Sequence, residues 1–175
     1  MTLNFNTYIK EHKFKTLALA NRDIIPIVRA FRAKIYLKDR LSEYGFNPNE
    51  YHEEIEFSLL SDLLNEWKKY RTINGATKND WIDLQNICHN VLIKKASEYA
   101  QAEKRLHNFL ECQEIYGGSL SKQVIDLRKK HLISIFDILD SGTNDYTIEY
   151  LDEKFGDYVN YTLLLFYANE YEKGL

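Results

Sequence analysis

Apolar residues recur at steps of three or four along most of this chain, the spacing of helices that bury one side. A first helix is predicted over about Asn4–Ala20, with Phe5, Ile9, Phe14, Leu17 and Ala20 on its apolar side. Asp23 is placed to cap a second, with Pro26 in its first turn and Ile24, Ile27, Phe31, Ile35 and the stem of Lys38 recurring behind it. Gly45 is its expected stop. Asn47-Pro48 opens a third helix as cap and first position, and Tyr51, Ile55, Leu59, Leu63, Trp67 and Tyr70 form its stripe until Asn74-Gly75 ends it.

Asn79 or Thr77 is the expected cap of the fourth and longest helix. Trp81, Leu84, Cys88, Val91, Ala96, Tyr99, Ala102, Leu106, Phe109 and Gln113 keep near-heptad spacing through it. Nothing between Asp80 and Tyr116 would obviously break it; such a helix would be about 50–55 Å long, with its continuity left open by the sequence. Gly117-Gly118 reads as a turn, and Ser119 or Ser121 caps a fifth helix carrying Val124, Leu127, His131, Leu132, Ile135 and Leu139. After a loop at 141–144, residues 146–171 read as a last helix with a break expected at Gly156. Ile148, Leu151, Phe155, Tyr158, Val159, Leu163 and Phe166 are its apolar positions. Two prolines and seven glycines leave few breakers, and no strand pattern or repeat competes. The fold class is all-α: one domain over 1–175, an elongated antiparallel bundle of about six helices.

Charge sharpens this picture. Net charge runs +6 over residues 1–42, −7 over 43–67, +5 over 68–136 and −7 over 137–175, beneath a total of only −3. The first basic and first acidic blocks are expected to satisfy each other across adjacent helices. The last acidic block has no basic segment after it and holds six of the thirteen tyrosines.

Recognisable chemistry is sparse. The start has no apolar run behind a basic head, so no signal peptide is expected. No apolar stretch suits a membrane span. Cys88 and Cys112 form no metal or redox pair and are expected as reduced thiols of a cytoplasmic protein. No E-x-x-H pair of a diiron bundle occurs; Glu103 and His107 are four apart. The acids Glu50, Glu53, Glu54 and Glu56 around His52 read as an acidic first turn that suits the helix dipole. His12-x-x-Lys15 has the spacing of histidine phosphotransfer bundles, but Thr16 stands where their glycine is expected. Arg128 and His131 are closer together than the Arg and His of the helical ribonucleases of the higher-eukaryote-and-prokaryote nucleotide-binding family. There is no phosphate-cradling glycine loop. No catalytic residue, metal or cofactor is therefore expected.

Two surfaces are predicted. Tyr146, Glu149, Tyr150, Glu153 and Asp157 fall on one face of the last helix, and carboxylates beside tyrosine suit a basic protein partner. The expected function is protein binding: a stoichiometric inhibitor, immunity-type protein, antitoxin or adaptor of bacterial or phage type. In chemistry this resembles small bacterial immunity proteins against nuclease toxins. The alternative is nucleic-acid binding through Arg22, Arg29, Arg32, Tyr36 and Arg40 on the second helix, against a sequence pI near 6.0. The third reading is an enzyme whose site brings His89, His107 or His131 to carboxylates. A homodimer is expected if the long fourth helix outruns its neighbours.

Overall fold

A computed structural model describes residues 50–99, 105–141 and 145–174. They form five helices: α1 (Glu53–Ile73), α2 (Trp81–Tyr99), α3 (His107–Tyr116), α4 (Leu120–Asp140) and α5 (Ile148–Glu172). Among the described residues there is no strand, and the fold is all-α. The two helices expected before residue 45, with the Asn47-Pro48 start, lie outside the described residues.

Helix α5 is the hub, packed against α1, α2 and α4. From Phe155 to Ala168 nearly every side is covered, in keeping with its near-continuous apolar run. It runs antiparallel to α1: Trp67 stacks on Phe155 at 6.0 Å between ring centres, while Phe57 meets Phe166 at 4.4 Å. Leu59, Leu63, Trp67 and Tyr70 of the predicted stripe are buried. Against α4 it is also antiparallel. The Glu172 carboxylate at its far end accepts from the Leu120 and Ser121 N–H groups and from the Ser121 hydroxyl at 2.8 Å. This places a negative group on the exposed donors of a helix start, beside the Ser119 hydroxyl that accepts the Lys122 N–H at 3.0 Å.

The helix expected across 80–116 is two helices, with Arg105 and Leu106 in a turn before the second. Near-heptad spacing continues through the break, so periodicity could not show it. The reason is tertiary: α2 packs on α5 while α3 packs on α4, with Leu106 and Phe109 buried. One straight rod could not seat both groups.

Capping also differs from expectation. Asp80 caps α2: its side chain accepts the Asp83 N–H at 2.9 Å while Asp83 accepts the Asp80 N–H at 3.2 Å, a reciprocal cap. Asn79 is already engaged in the α1–α2 turn, accepting from Arg71 at 3.0 Å and donating to the Ala76 carbonyl at 2.8 Å. That turn has Gly75 at φ +89°, a left-handed backbone that side chains disfavour. Helix α5 passes through Gly156 without the expected break. A β-carbon there would lie 3.4 Å from Val91 Cγ2 of α2, an ordinary contact distance. Cys88 and Cys112 are free thiols, the first buried. Among the described residues no helix is long and apolar enough to cross a membrane.

Candidate functional site

Burying α5 on all sides brings charged residues inside. Arg128 of α4 forks onto Glu56 of α1, with Nη1 donating to Oε2 at 2.5 Å and Nη2 to Oε1 at 2.8 Å. Nη1 also donates to the Thr162 hydroxyl at 3.1 Å, and the guanidinium lies 5.1 Å from the Tyr158 ring centre. Glu56 is 1 % exposed and Arg128 is 5 % exposed. Glu56 is thus a core ion, not part of a solvated first turn. The inward face of α4 runs through Val124, Arg128, His131 and Ile135, while Leu127, expected inside, is exposed.

A second polar cluster lines a pocket of about 360 Å³ among α2, α4 and α5, with Arg105 and Phe109 also on its lining. Asp157, 3 % exposed, accepts from the Lys95 ammonium, and its Oδ2 lies 3.5 Å from His131 Nδ1. Burial works against the Lys95 ammonium, but Asp157 outweighs it and lifts its pKa above the ordinary value. Burial pushes the His131 imidazole down to about 4; Lys130, Lys95 and Lys154 push the same way and Asp157 opposes. His131 is therefore neutral near pH 7, and a proton on Nδ1 facing Asp157 leaves Nε2 as an acceptor. The Asn160 side-chain N–H donates to the Cys88 carbonyl at 2.9 Å, which fixes the amide orientation. His131 Nε2 and Asn160 Oδ1 are both buried and have no hydrogen-bond partner among the described residues. The rings of His131 and Tyr161 lie 4.7 Å apart, and Phe109 meets Tyr161 edge-on at 6.1 Å.

The predicted acid–tyrosine stripe is partly preserved. Glu149 and Glu153 are exposed, and Tyr150 is 39 % exposed. Tyr146 precedes the helix and is half-buried: its ring stacks on Tyr150 at 5.7 Å and meets Tyr70 at 6.5 Å, and its hydroxyl donates to Ser141 at 2.5 Å. Asp157 does not join them, because the stripe enters the bundle where α2 and α4 close over α5. The structure adds exposed Asp137, Asp140 and Asp145 at the α4–α5 corner. Arg22, Arg29, Arg32, Tyr36 and Arg40 lie outside the described residues, as do His12 and Lys15. His107 is exposed and 3.8 Å from Glu111. Among the described residues no group of His, Cys, Asp and Glu is arranged to hold a metal ion.

The Lys95–Asp157–His131 cluster had no local motif to announce it. One clue was available: Asp157 and Asn160 stand three apart within the aromatic run Phe155–Tyr161, where both helix faces are apolar. Compared with known proteins, the chain matches no family model, no curated protein and no solved structure.

Proposed function

We propose that this chain is a protein-binding module of the inhibitor, immunity-type or adaptor class, acting in the cytoplasm on a basic partner. The observation that carries it is the exposed acid–tyrosine corner: Glu149, Tyr150 and Glu153 on α5, flanked by Asp137, Asp140 and Asp145. Five carboxylates around a tyrosine favour encounter with a cationic surface, and the stacked ring offers contact area at small entropic cost. The end of α4 also presents the negative pole of its dipole beside Asp137 and Asp140, which favours a cation there. Lys154 already lies 5.3 Å over the Tyr150 ring, so the chain itself displays the cation–π contact that a partner lysine or arginine would make.

The test compares proteins retained from lysate by the tagged chain and by Tyr150→Ala and Glu149→Lys/Glu153→Lys variants of equal helicity. A basic protein held by the parent and lost from both variants is the expected result. Equal retention by all three would sink the reading. The nucleic-acid alternative gains no support, because its residues lie outside the described structure.

A further inference from the structure

We propose that the pocket among α2, α4 and α5 binds a small apolar monocarboxylate: a hydrocarbon or aryl body of about eight to ten carbons ending in one carboxylate. The site does not depend on protein binding at the acid–tyrosine corner.

The lining divides into a self-satisfied polar cluster, one spare cation and an apolar remainder, and each part narrows the ligand. The polar cluster is closed on itself. Asp157 accepts from Lys95 and its Oδ2 lies 3.5 Å from His131 Nδ1, so one carboxylate and one ammonium cancel. Asn160 is held through its N–H on the Cys88 carbonyl at 2.9 Å. Arg105, which also lines the pocket, is already engaged. A ligand recognised by a dense pattern of hydrogen bonds would find these groups taken.

Lys130 is the spare cation. It lines the pocket and is exposed, which places it at the mouth, and among the described residues its ammonium enters no ion pair. Leu127, Lys130 and His131 stand at i, i+3 and i+4, so one face of α4 runs from the buried imidazole to this outer edge. A carboxylate brings one negative charge to meet one ammonium. A phosphomonoester brings about −1.5 to −2, more than Lys130 balances. Lys95, 37 % exposed at its side chain, gives Asp157 one of the three N–H donors of an ammonium and can turn another to the same carboxylate.

The remainder is apolar: Val91 and Leu92 of α2, Phe109 of α3, Leu127 of α4, and Tyr161 and Leu164 of α5. Much of it is left open. Leu127 is 37 % exposed, and Val91, Leu92 and Tyr161 are only half-buried. Apolar surface around a concave site is what a ligand body covers, and each methylene buried there tightens binding about fourfold. The volume of about 360 Å³ falls in the range of small-molecule sites, about 300–1,000 Å³. A cavity of about 150 Å³ already admits benzene, so this one suits a body of about two rings or a medium-length chain. Water would leave the apolar surface unburied, and a neutral hydrocarbon would leave Lys130 unused.

The experiment titrates the full chain with hexanoate, octanoate, naphthoate and octanol, by calorimetry and by the methyl carbon spectrum. Octanoate or naphthoate should move the methyls of Val91, Leu127 and Leu164 and leave those of Leu59 and Leu63 on α1 in place. The stronger of the two tells whether the body is a chain or a ring system. Octanoate should bind at least about tenfold more tightly than hexanoate, the gain from two buried methylenes. Octanol should bind at least about threefold more weakly than octanoate. Lys130→Gln, an exposed change that leaves the fold intact, should bring octanoate down to octanol and leave octanol itself unaltered. Pocket methyls that stay in place with both octanoate and naphthoate would overturn the proposal. So would octanol binding as tightly as octanoate, shifts confined to α1, or carboxylate binding that ignores Lys130→Gln.

Discussion

Removing Arg128 tests the buried ion pair at the centre of the bundle. Arg128→Met keeps most of the side-chain volume but leaves the Glu56 carboxylate, 1 % exposed, without the two bonds of 2.5 and 2.8 Å that compensate its burial. It also strands the Thr162 hydroxyl, which still donates to the Tyr158 carbonyl at 3.0 Å but loses its donor from Arg128. Burial disfavours the guanidinium, yet Glu56 outweighs it and holds the Arg128 pKa above its ordinary value, so the guanidinium stays charged. Breaking a buried pair from one side costs about 3–5 kcal/mol, whereas replacing both ions with apolar groups of similar volume is often neutral or stabilising. The reading therefore predicts non-additivity. In urea unfolding followed by helical circular dichroism at pH 7, Arg128→Met should lower the midpoint by about 1–2.5 M, taking a slope of about 2–3 kcal/mol/M. Glu56→Leu/Arg128→Met should recover most of that loss. Should Arg128→Met fold too poorly to measure, Glu56→Gln gives the milder single change against the same double. A loss below about 1 kcal/mol, or a double variant that simply adds the two singles, would refute the pairing.

Three further outcomes follow from other contacts. The folded chain holds His131 neutral with a pKa of about 4, while the unfolded chain takes up that proton near the ordinary value of 6.5. Stability is therefore full above about pH 6.5 and falls toward pH 4. The loss is on the order of 2 kcal/mol after allowing for partial solvent access, and His131→Gln should flatten it in unfolding curves across that range. Gly156→Ala places a methyl at ordinary contact distance from Val91 and gains helix propensity. Calorimetry should show Tm rising by about 1–4 °C, while Gly156→Leu should lower it. Asp152→Ala removes the acceptor shared by the Trp67 indole N–H, at 3.0 Å, and the Arg71 guanidinium. A loss of about 2–4 kcal/mol and a changed Trp67 emission should be seen, and an unchanged midpoint would contradict the shared bond.

What the sequence made legible was local. The Asn74-Gly75 stop, the Gly117-Gly118 turn and the Ser119 cap each follow from a few neighbouring residues, and each stands where expected. The apolar stripe of α1 was legible for the same reason. Long-range features were not. Arg128 and Glu56 are 72 positions apart, and nothing in the Arg128-Lys129-Lys130-His131 run separates its two inward members from its two outward ones. A polarity wheel assigns Leu127 to the core and Arg128 to solvent; the ion pair reverses both. Asp157 failed similarly. Its stripe was drawn by charge, but that face of α5 is open at Glu149, Tyr150 and Glu153 and closed at Asp157, so one face has two environments.

The alternation of charge blocks has a physical reading that the stripe alone did not suggest. Glu56 lies in the first acidic block, and Asp152 and Asp157 lie in the last. All three pair with cations of the basic block between them: Arg128, Arg71 and Lys95. That block acts as a hub, fixing α1 and α5 on either side of it through contacts that a slipped register would leave as buried, unpaired charges. Glu172 adds a fourth tie through the start of α4. Glu56, Asp152 and Asp157 are thereby engaged within the fold. Of the exposed acids of the last block, Glu149 and Glu153 flank Tyr150 on α5, Asp137, Asp140 and Asp145 lie at the α4–α5 corner, and Glu172 lies at the far end of α5. Internal pairing thus concentrates most of the outward charge of this block near Tyr150, the face on which the proposed binding of a cationic partner rests.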